Sequence, residues 1–215
     1  MNAFIKSLKK AVCGLALLGF AAHAAADNLY HVVLDATQLA GSGWLDLQFN
    51  PGQDGAALAY ANVNHFSGQT TPGAVAQVAG SVSGNWGGNN VLFTNNTAYN
   101  DLFTGVQLGQ RLSFDVHFSG PFANSNSNAG TSFSLSLYAA DQATLLGNGD
   151  AASGSLLTFN LNPGQPGSVS TMVFDGGMIS VSAVPEPETY AMMLAGLAAL
   201  GMVARRRQTA RKLMA

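Results

Sequence analysis

The chain has 215 residues, of which only 9% are charged, against about a quarter in an average soluble domain. Lys6, Lys9 and Lys10 lie near one end, and Arg205, Arg206, Arg207, Arg211 and Lys212 lie near the other; between Asp27 and Val184 the single cation Arg111 faces nine aspartates, a formal charge of −8. Such an acidic middle has no basic face to neutralise phosphates, so nucleic-acid binding is excluded, and the composition is not that of an ordinary cytosolic enzyme.

Residues 1–26 read as a secretory signal peptide. Lys6, Lys9 and Lys10 supply the positive start, and the 12 apolar residues from Ala11 to Ala22 supply the hydrophobic stretch. The small-residue rule for cleavage is met by Ala22-His23-Ala24 or Ala24-Ala25-Ala26, which leaves cleavage after Ala24 or after Ala26. Twelve residues at about 1.5 Å rise do not cross a ~30 Å hydrocarbon layer; the competing reading is a permanent N-terminal anchor. Cys13, the only cysteine, lies inside this segment. The mature protein is therefore expected to have no disulfide framework and no thiol chemistry.

Residues 27–183 carry the pattern of one all-β domain. Gly, Asn, Ser and Thr make up 64 of residues 27–184, a composition that favours turns and strands over helices. Arg111-Leu-Ser-Phe-Asp-Val-His-Phe118 alternates apolar and polar residues strictly, as does Thr131-Ser-Phe-Ser-Leu-Ser-Leu-Tyr138. Further strands are expected over 29–35, 44–49, 57–66, 74–82, 91–94, 155–161, 169–174 and 178–183, whereas 101–108 reads as a short strand or a loop. Turn chemistry separates them: Asn50-Pro51-Gly52, Gly87-Gly88-Asn89-Asn90, Gly147-Asn148-Gly149-Asp150 and Asn162-Pro163-Gly164. About ten short strands without intervening helices predict an antiparallel β-sandwich, jelly-roll-like in its connections.

Chemistry-bearing residues are sparse in this middle. His31, His65 and His117 with nine aspartates can be drawn as many paper triads, so they predict nothing without geometry; no Gly-x-Ser-x-Gly elbow or His-x-x-x-His pair is present. No catalytic residue is assigned, and the domain is expected not to be an enzyme. Trp44, Trp86, Tyr60, Tyr99 and Tyr138 are candidate sugar contacts, with Trp86, Trp44 and Tyr99 foremost, since flat apolar rings stack on sugar faces while Asn-rich loops supply directional hydrogen bonds. Trp86, inside Gly84-Asn-Trp-Gly-Gly88, has glycine neighbours that give its own strand little with which to bury it. For Trp44 the alternative is ordinary core or rim packing. Asp101, Asp150 and Asp175 lie in turn-like surroundings suited to Ca²⁺, without the Asp-x-Asp-x-Asp spacing of a dedicated loop; solvated surface carboxylates are the favoured reading.

At the C-terminal end, Val184-Pro185-Glu186-Pro187-Glu188-Thr189 leads into an apolar run from Tyr190 to Ala204, followed at once by Arg205, Arg206 and Arg207. Proline fixes φ and stops helix propagation. A membrane helix is expected over 189–204, its 15 apolar residues spanning about 22 Å. The three arginines place its far end in the cytoplasm, with residues 208–215 as a cytoplasmic tail.

Pro185-Glu186-Pro187, a short Ala/Gly/Leu/Met helix and an arginine cluster, in that order, resemble the PEP-CTERM sorting signal of Gram-negative bacteria. The resemblance covers about residues 184–207. It implies an exosortase, an integral-membrane transpeptidase-like enzyme, as partner, with Pro185, Glu186 and Pro187 as its recognition motif and the inner membrane as a station before processing. It further implies a surface or matrix protein of an exopolysaccharide-producing bacterium, with the exopolysaccharide itself as a candidate partner. The eight residues after the arginines depart from the family pattern, in which many signals end sooner. Within the middle domain, Gly41-Ser-Gly-Trp-Leu-Asp-Leu-Gln-Phe-Asn-Pro-Gly52 is similar to an early strand of small ectodomains that carry this signal. Leu112-Ser-Phe-Asp-Val, Phe133-Ser-Leu-Ser-Leu and Leu161-Asn-Pro-Gly extend the similarity, which carries no assigned activity.

Overall fold

In a computed structural model, residues 28–86, 90–164, 169–184, 194–198 and 200–201 are described. The chain separates into residues 27–185 and a second unit made of 1–26 with 186–215. In the second unit, residues 194–198 and 200–201 are helical. Among the described residues no helix is long and apolar enough to cross a membrane. The expected signal helix over 1–26, the Pro-Glu-Pro motif, the arginine cluster and most of the expected membrane helix over 189–204 lie outside the described residues.

The described residues between 28 and 184 form two six-stranded sheets in which every pairing is antiparallel. The strands are β1 (Leu29–Asp35), β2 (Ser42–Pro51), β3 (Tyr60–Ser67), β4 (Gln77–Ala79), β5 (Val82–Asn85), β6 (Asn90–Thr94), β7 (Asp101–Gln107), β8 (Arg111–Ser119), β9 (Thr131–Ala139), β10 (Leu157–Leu161), β11 (Val169–Val173) and β12 (Ile179–Ala183). The first sheet runs β12-β1-β8-β3-β6-β5 and the second β11-β10-β9-β2-β7-β4. Strands β1, β2, β3 and β4 alternate between the sheets, and they pair back in nested fashion as β1 with β8, β2 with β7 and β3 with β6. The result is an antiparallel β-sandwich.

Alternation in the sequence becomes alternation between core and surface, as the period of two requires. On β8, Leu112, Phe114, Val116 and Phe118 are buried while Ser113, Asp115 and His117 face outward. The inward rings interlock across the sandwich: Phe118 of the first sheet lies 5.7 Å from Phe133 and 5.2 Å from Phe159 of the second. Phe133, fully buried, also meets Phe49 and Phe93. Removing so central a ring leaves a cavity that a close-packed interior fills poorly, so Phe133→Ala should cost about 3–5 kcal/mol in a denaturant titration.

Two expected elements resolve differently. The 101–108 segment is a full strand, β7, paired with β2 along seven residues. The single strand expected over 74–82 breaks into β4 and β5, which belong to different sheets. Gly80 makes that break with φ of +69°, and a Cβ there would lie 1.9 Å from the Tyr99 carbonyl oxygen. Only glycine tolerates that position.

Candidate functional site

On the inner face of β2, Leu45, Leu47 and Phe49 enter the core, so Trp44, Asp46 and Gln48 belong to the outer face of the second sheet. The register sets Asp46 between Phe103 of β7 and Ser136 of β9, and Trp44 between Gly105 and Tyr138. Asp101, opposite Gln48, joins the same face from β7. Rings close over this patch. Trp44 stacks on Phe103 at 4.9 Å and 15°, and Phe103 meets Tyr138 edge-on at 5.7 Å. Tyr99, just ahead of β7, remains half-exposed.

Beneath the rings lies an unusual pair of carboxylates. Asp46 is only 6% exposed although it belongs to the outer face. One of its oxygens, Oδ2, accepts a 2.9 Å hydrogen bond from Gln48 Nε2, which is steadied in turn by Asn50. Its Oδ1 is buried without a partner, as is Oδ1 of Asp101. Burial pushes the Asp46 carboxyl up to about 8, reinforced by the neighbouring Asp101 carboxyl. Desolvation favours the neutral form, and a proton on one of two neighbouring carboxyls removes the repulsion between two anions. Burial and then the charge and hydrogen bond of Asp101 push the Tyr99 phenol up to about 12, which keeps Tyr99 a donor at neutral pH.

The approach of Tyr99 and Asp101 is fixed by Asn100 between them. Asn100 is fully buried; its amide nitrogen donates to the carbonyls of Phe49 (2.8 Å) and Thr97 (2.9 Å), and its Oδ1 accepts from the backbone of Ser81 at 2.8 Å and from the Thr97 hydroxyl. The backbone nitrogen of Asn100 donates to Asn50 Oδ1 at 2.7 Å. Neighbouring residues of the chain are thus pinned to β2 and to the β4–β5 turn.

The structure therefore brings together three of the five sugar-contact candidates, Trp44, Tyr99 and Tyr138, and adds Phe103 to them; Tyr60 lies on β3 of the other sheet. Trp86 is different: it is 6% exposed and packs into the core against Phe66 at 4.4 Å and Phe114 at 6.4 Å. Its glycine neighbours do not leave it outside; the ring turns inward, where the rings of β3 and β8 cover it. Asp46 and Phe103 were not singled out in the sequence. The phase of Trp44-Leu-Asp-Leu-Gln48 puts Asp46 on the Trp44 face, but which strand flanks it is a long-range pairing that no local pattern carries.

The calcium candidates have other work. Asp101 belongs to the carboxyl pair. Asp150 accepts the backbone nitrogens of Ala152 and Ser153 and the Ser153 hydroxyl, and those bonds hold its carboxyl below the ordinary range. Asp175, 6% exposed, accepts the backbone nitrogens of Asn148, Gly177 and Met178. Among the described residues no group of three or more His, Cys, Asp or Glu is arranged to hold a metal ion.

A second polar cluster occupies the outer face of the first sheet. Asp115 on β8 meets His31 Nδ1 with one oxygen at 2.6 Å and His65 Nδ1 with the other at 2.8 Å. His65 has φ of +52°, where the β3–β8 register shifts, and that irregularity turns its ring back over Asp115. His117 follows Asp115 by two residues on the same face. One carboxylate thus orients two imidazoles, without an aromatic surface of the kind that the second sheet presents.

A family model for the PEP-CTERM protein-sorting motif matches residues 183–208. No curated protein and no solved structure gives a significant match to the chain. The chain carries the exosortase recognition signal, which marks it as a secreted protein targeted to the cell surface.

Proposed function

We propose that this is an exosortase-processed protein of the cell surface or extracellular matrix of an exopolysaccharide-producing Gram-negative bacterium, anchored through 189–204 before processing, and that its jelly-roll-like ectodomain binds matrix polysaccharide without turning it over. The observation that carries this reading is the ring patch of Trp44, Phe103, Tyr138 and Tyr99 on the outer face of a sheet, where aromatic side chains have no core to fill. Ring faces offer apolar area to sugar C–H groups at little entropic cost, and the carboxyl pair beside them supplies orienting polar atoms.

In affinity electrophoresis against the producer's polysaccharide, Trp44→Ala should weaken retention about tenfold or more, the loss of roughly 1.4 kcal/mol. Trp86→Phe, a change inside the core, should leave retention unaltered. Equal retention of the Trp44→Ala protein and the parent would overturn the assignment of this face.

A further inference from the structure

We infer that the polysaccharide held on this face is cationic, a hexosamine polymer with free amino groups, one of which docks on Asp46 and Asp101 beside the Trp44, Phe103 and Tyr138 rings. This rests on the reading of that face as the glycan-binding surface and names the class of glycan.

Three observations converge on it. The first is the pair of orphaned oxygens. Oδ1 of Asp46 and Oδ1 of Asp101 are buried with no partner in the protein, and Asp46 is more than nine-tenths buried. An ammonium brings three N–H donors and can satisfy both. Second, the rings around the pair present negative faces, and a cation near the face of Trp or Tyr is attracted by the ring quadrupole, the more so where water is scarce. A neutral sugar uses those rings only as apolar area. Third, the whole domain selects for positive ligands. Residues 27–184 carry nine aspartates and one arginine, and that Arg111 is already bonded to Asp35 at 2.8 Å. Uronic-acid polymers meet a repulsive field there, and amino polymers an attractive one.

Tyr99 gives the route in. It is 48% exposed and lies beside Asp101, so a ligand reaches the carboxyls along its side chain. An incoming ammonium then takes the place of the proton on Asp46, which is released to solvent.

The test is calorimetric titration of the full-length protein with short glucosamine oligomers, their N-acetylated counterparts and oligouronates, in mildly acidic buffers of different ionisation enthalpy. Glucosamine oligomers should bind at least tenfold more tightly than the acetylated ones, oligouronates should not bind, and binding should release protons. Asp46→Asn should abolish the proton release and cost about tenfold in affinity for the amine, with little change for the acetylated oligomer. Because Asp46 is uncharged in the free protein under these conditions, that substitution leaves the net charge as it was. Loose attraction of a polycation to an acidic surface would survive it, and such survival would overturn the inference. Equal, Trp44-dependent binding of acetylated and free-amine oligomers would also overturn it while leaving the glycan-binding reading intact. If none of the oligomers binds, both fail.

Discussion

Replacing Asp46 by asparagine should stabilise the protein at neutral pH and above, raising its melting temperature by about 5 °C or more near pH 8. An unfolded aspartate ionises near 3.8, whereas burial and the neighbouring Asp101 hold this carboxyl protonated up to about 8. The sign follows from linkage. Below the unfolded value both states carry the proton, and Asp46 costs nothing. As pH rises through the window, the unfolded chain gains by ionising while the folded chain cannot, so stability falls by up to about 1.4 kcal/mol per pH unit. Asparagine removes the titration. Its nitrogen can donate to Asp101, and its oxygen can keep the bond from Gln48 Nε2. The measurement is melting temperature against pH for both proteins, with the curves meeting near pH 4 and diverging toward pH 8. Parallel curves would show that Asp46 is not held neutral. The same substitution should weaken amine binding, so the more stable protein should be the poorer binder, as at sites where function retains a costly group.

On the acid side other carboxyls act in the opposite sense. The Thr37 hydroxyl, then Arg111 and the Thr37 backbone, hold Asp35 down to about 2, and Thr144 likewise lowers Asp141. Groups with lowered values stabilise the fold above their unfolded value and lose that contribution as pH falls through the folded one. Their contributions are small because all are exposed. The two trends together place maximum stability in the mildly acidic range, between the acid loss of these surface pairs and the rise in the cost of Asp46.

The strands were legible because each is written locally. In β8 the alternation of apolar and polar residues is uninterrupted and the strand begins with it, and in β9 Phe133, Leu135 and Leu137 repeat the pattern. The break between β4 and β5 was not legible, since Val78, Val82 and the residues around them continue the pattern; what forces it is the approach of the Tyr99 carbonyl to Gly80, a contact between segments about twenty residues apart in sequence. Trp86 misled for a related reason. Glycine neighbours report on its own strand, but Phe66 and Phe114, which cover it, come from β3 and β8. The carboxyl pair shows the same limit most clearly. Asp46 reads as an ordinary polar residue in a strand and Asp101 as a carboxylate in turn-like surroundings, and they become a site only when β2 and β7 pair in this register.

Glu186→Ala should abolish processing of the protein in a host that bears an exosortase, while leaving the β-sandwich folded. Glu186 and Glu188 are the only glutamates in the chain, and the sorting-motif match over 183–208 includes both. A carboxylate between two prolines is flanked by rings of fixed φ, which lowers the conformational cost of presenting it to an enzyme. A cationic pocket can then read it through charge-assisted hydrogen bonds. Alanine keeps the prolines and the apolar run but removes the charge, so the substitution separates recognition from insertion. The ectodomain is insulated from the change: its last strand, β12, ends at Ala183, and the Val184 backbone nitrogen donates to the Leu29 carbonyl at 2.9 Å. The readout is the mass and amount of protein released from the membrane, with parent and Glu186→Ala proteins compared at equal expression. Retention of the variant at full length, beside a released and shortened parent, is the expected result. Equal release of the two would reduce Pro185-Glu186-Pro187 to a stalk and remove Glu186 from the recognition motif.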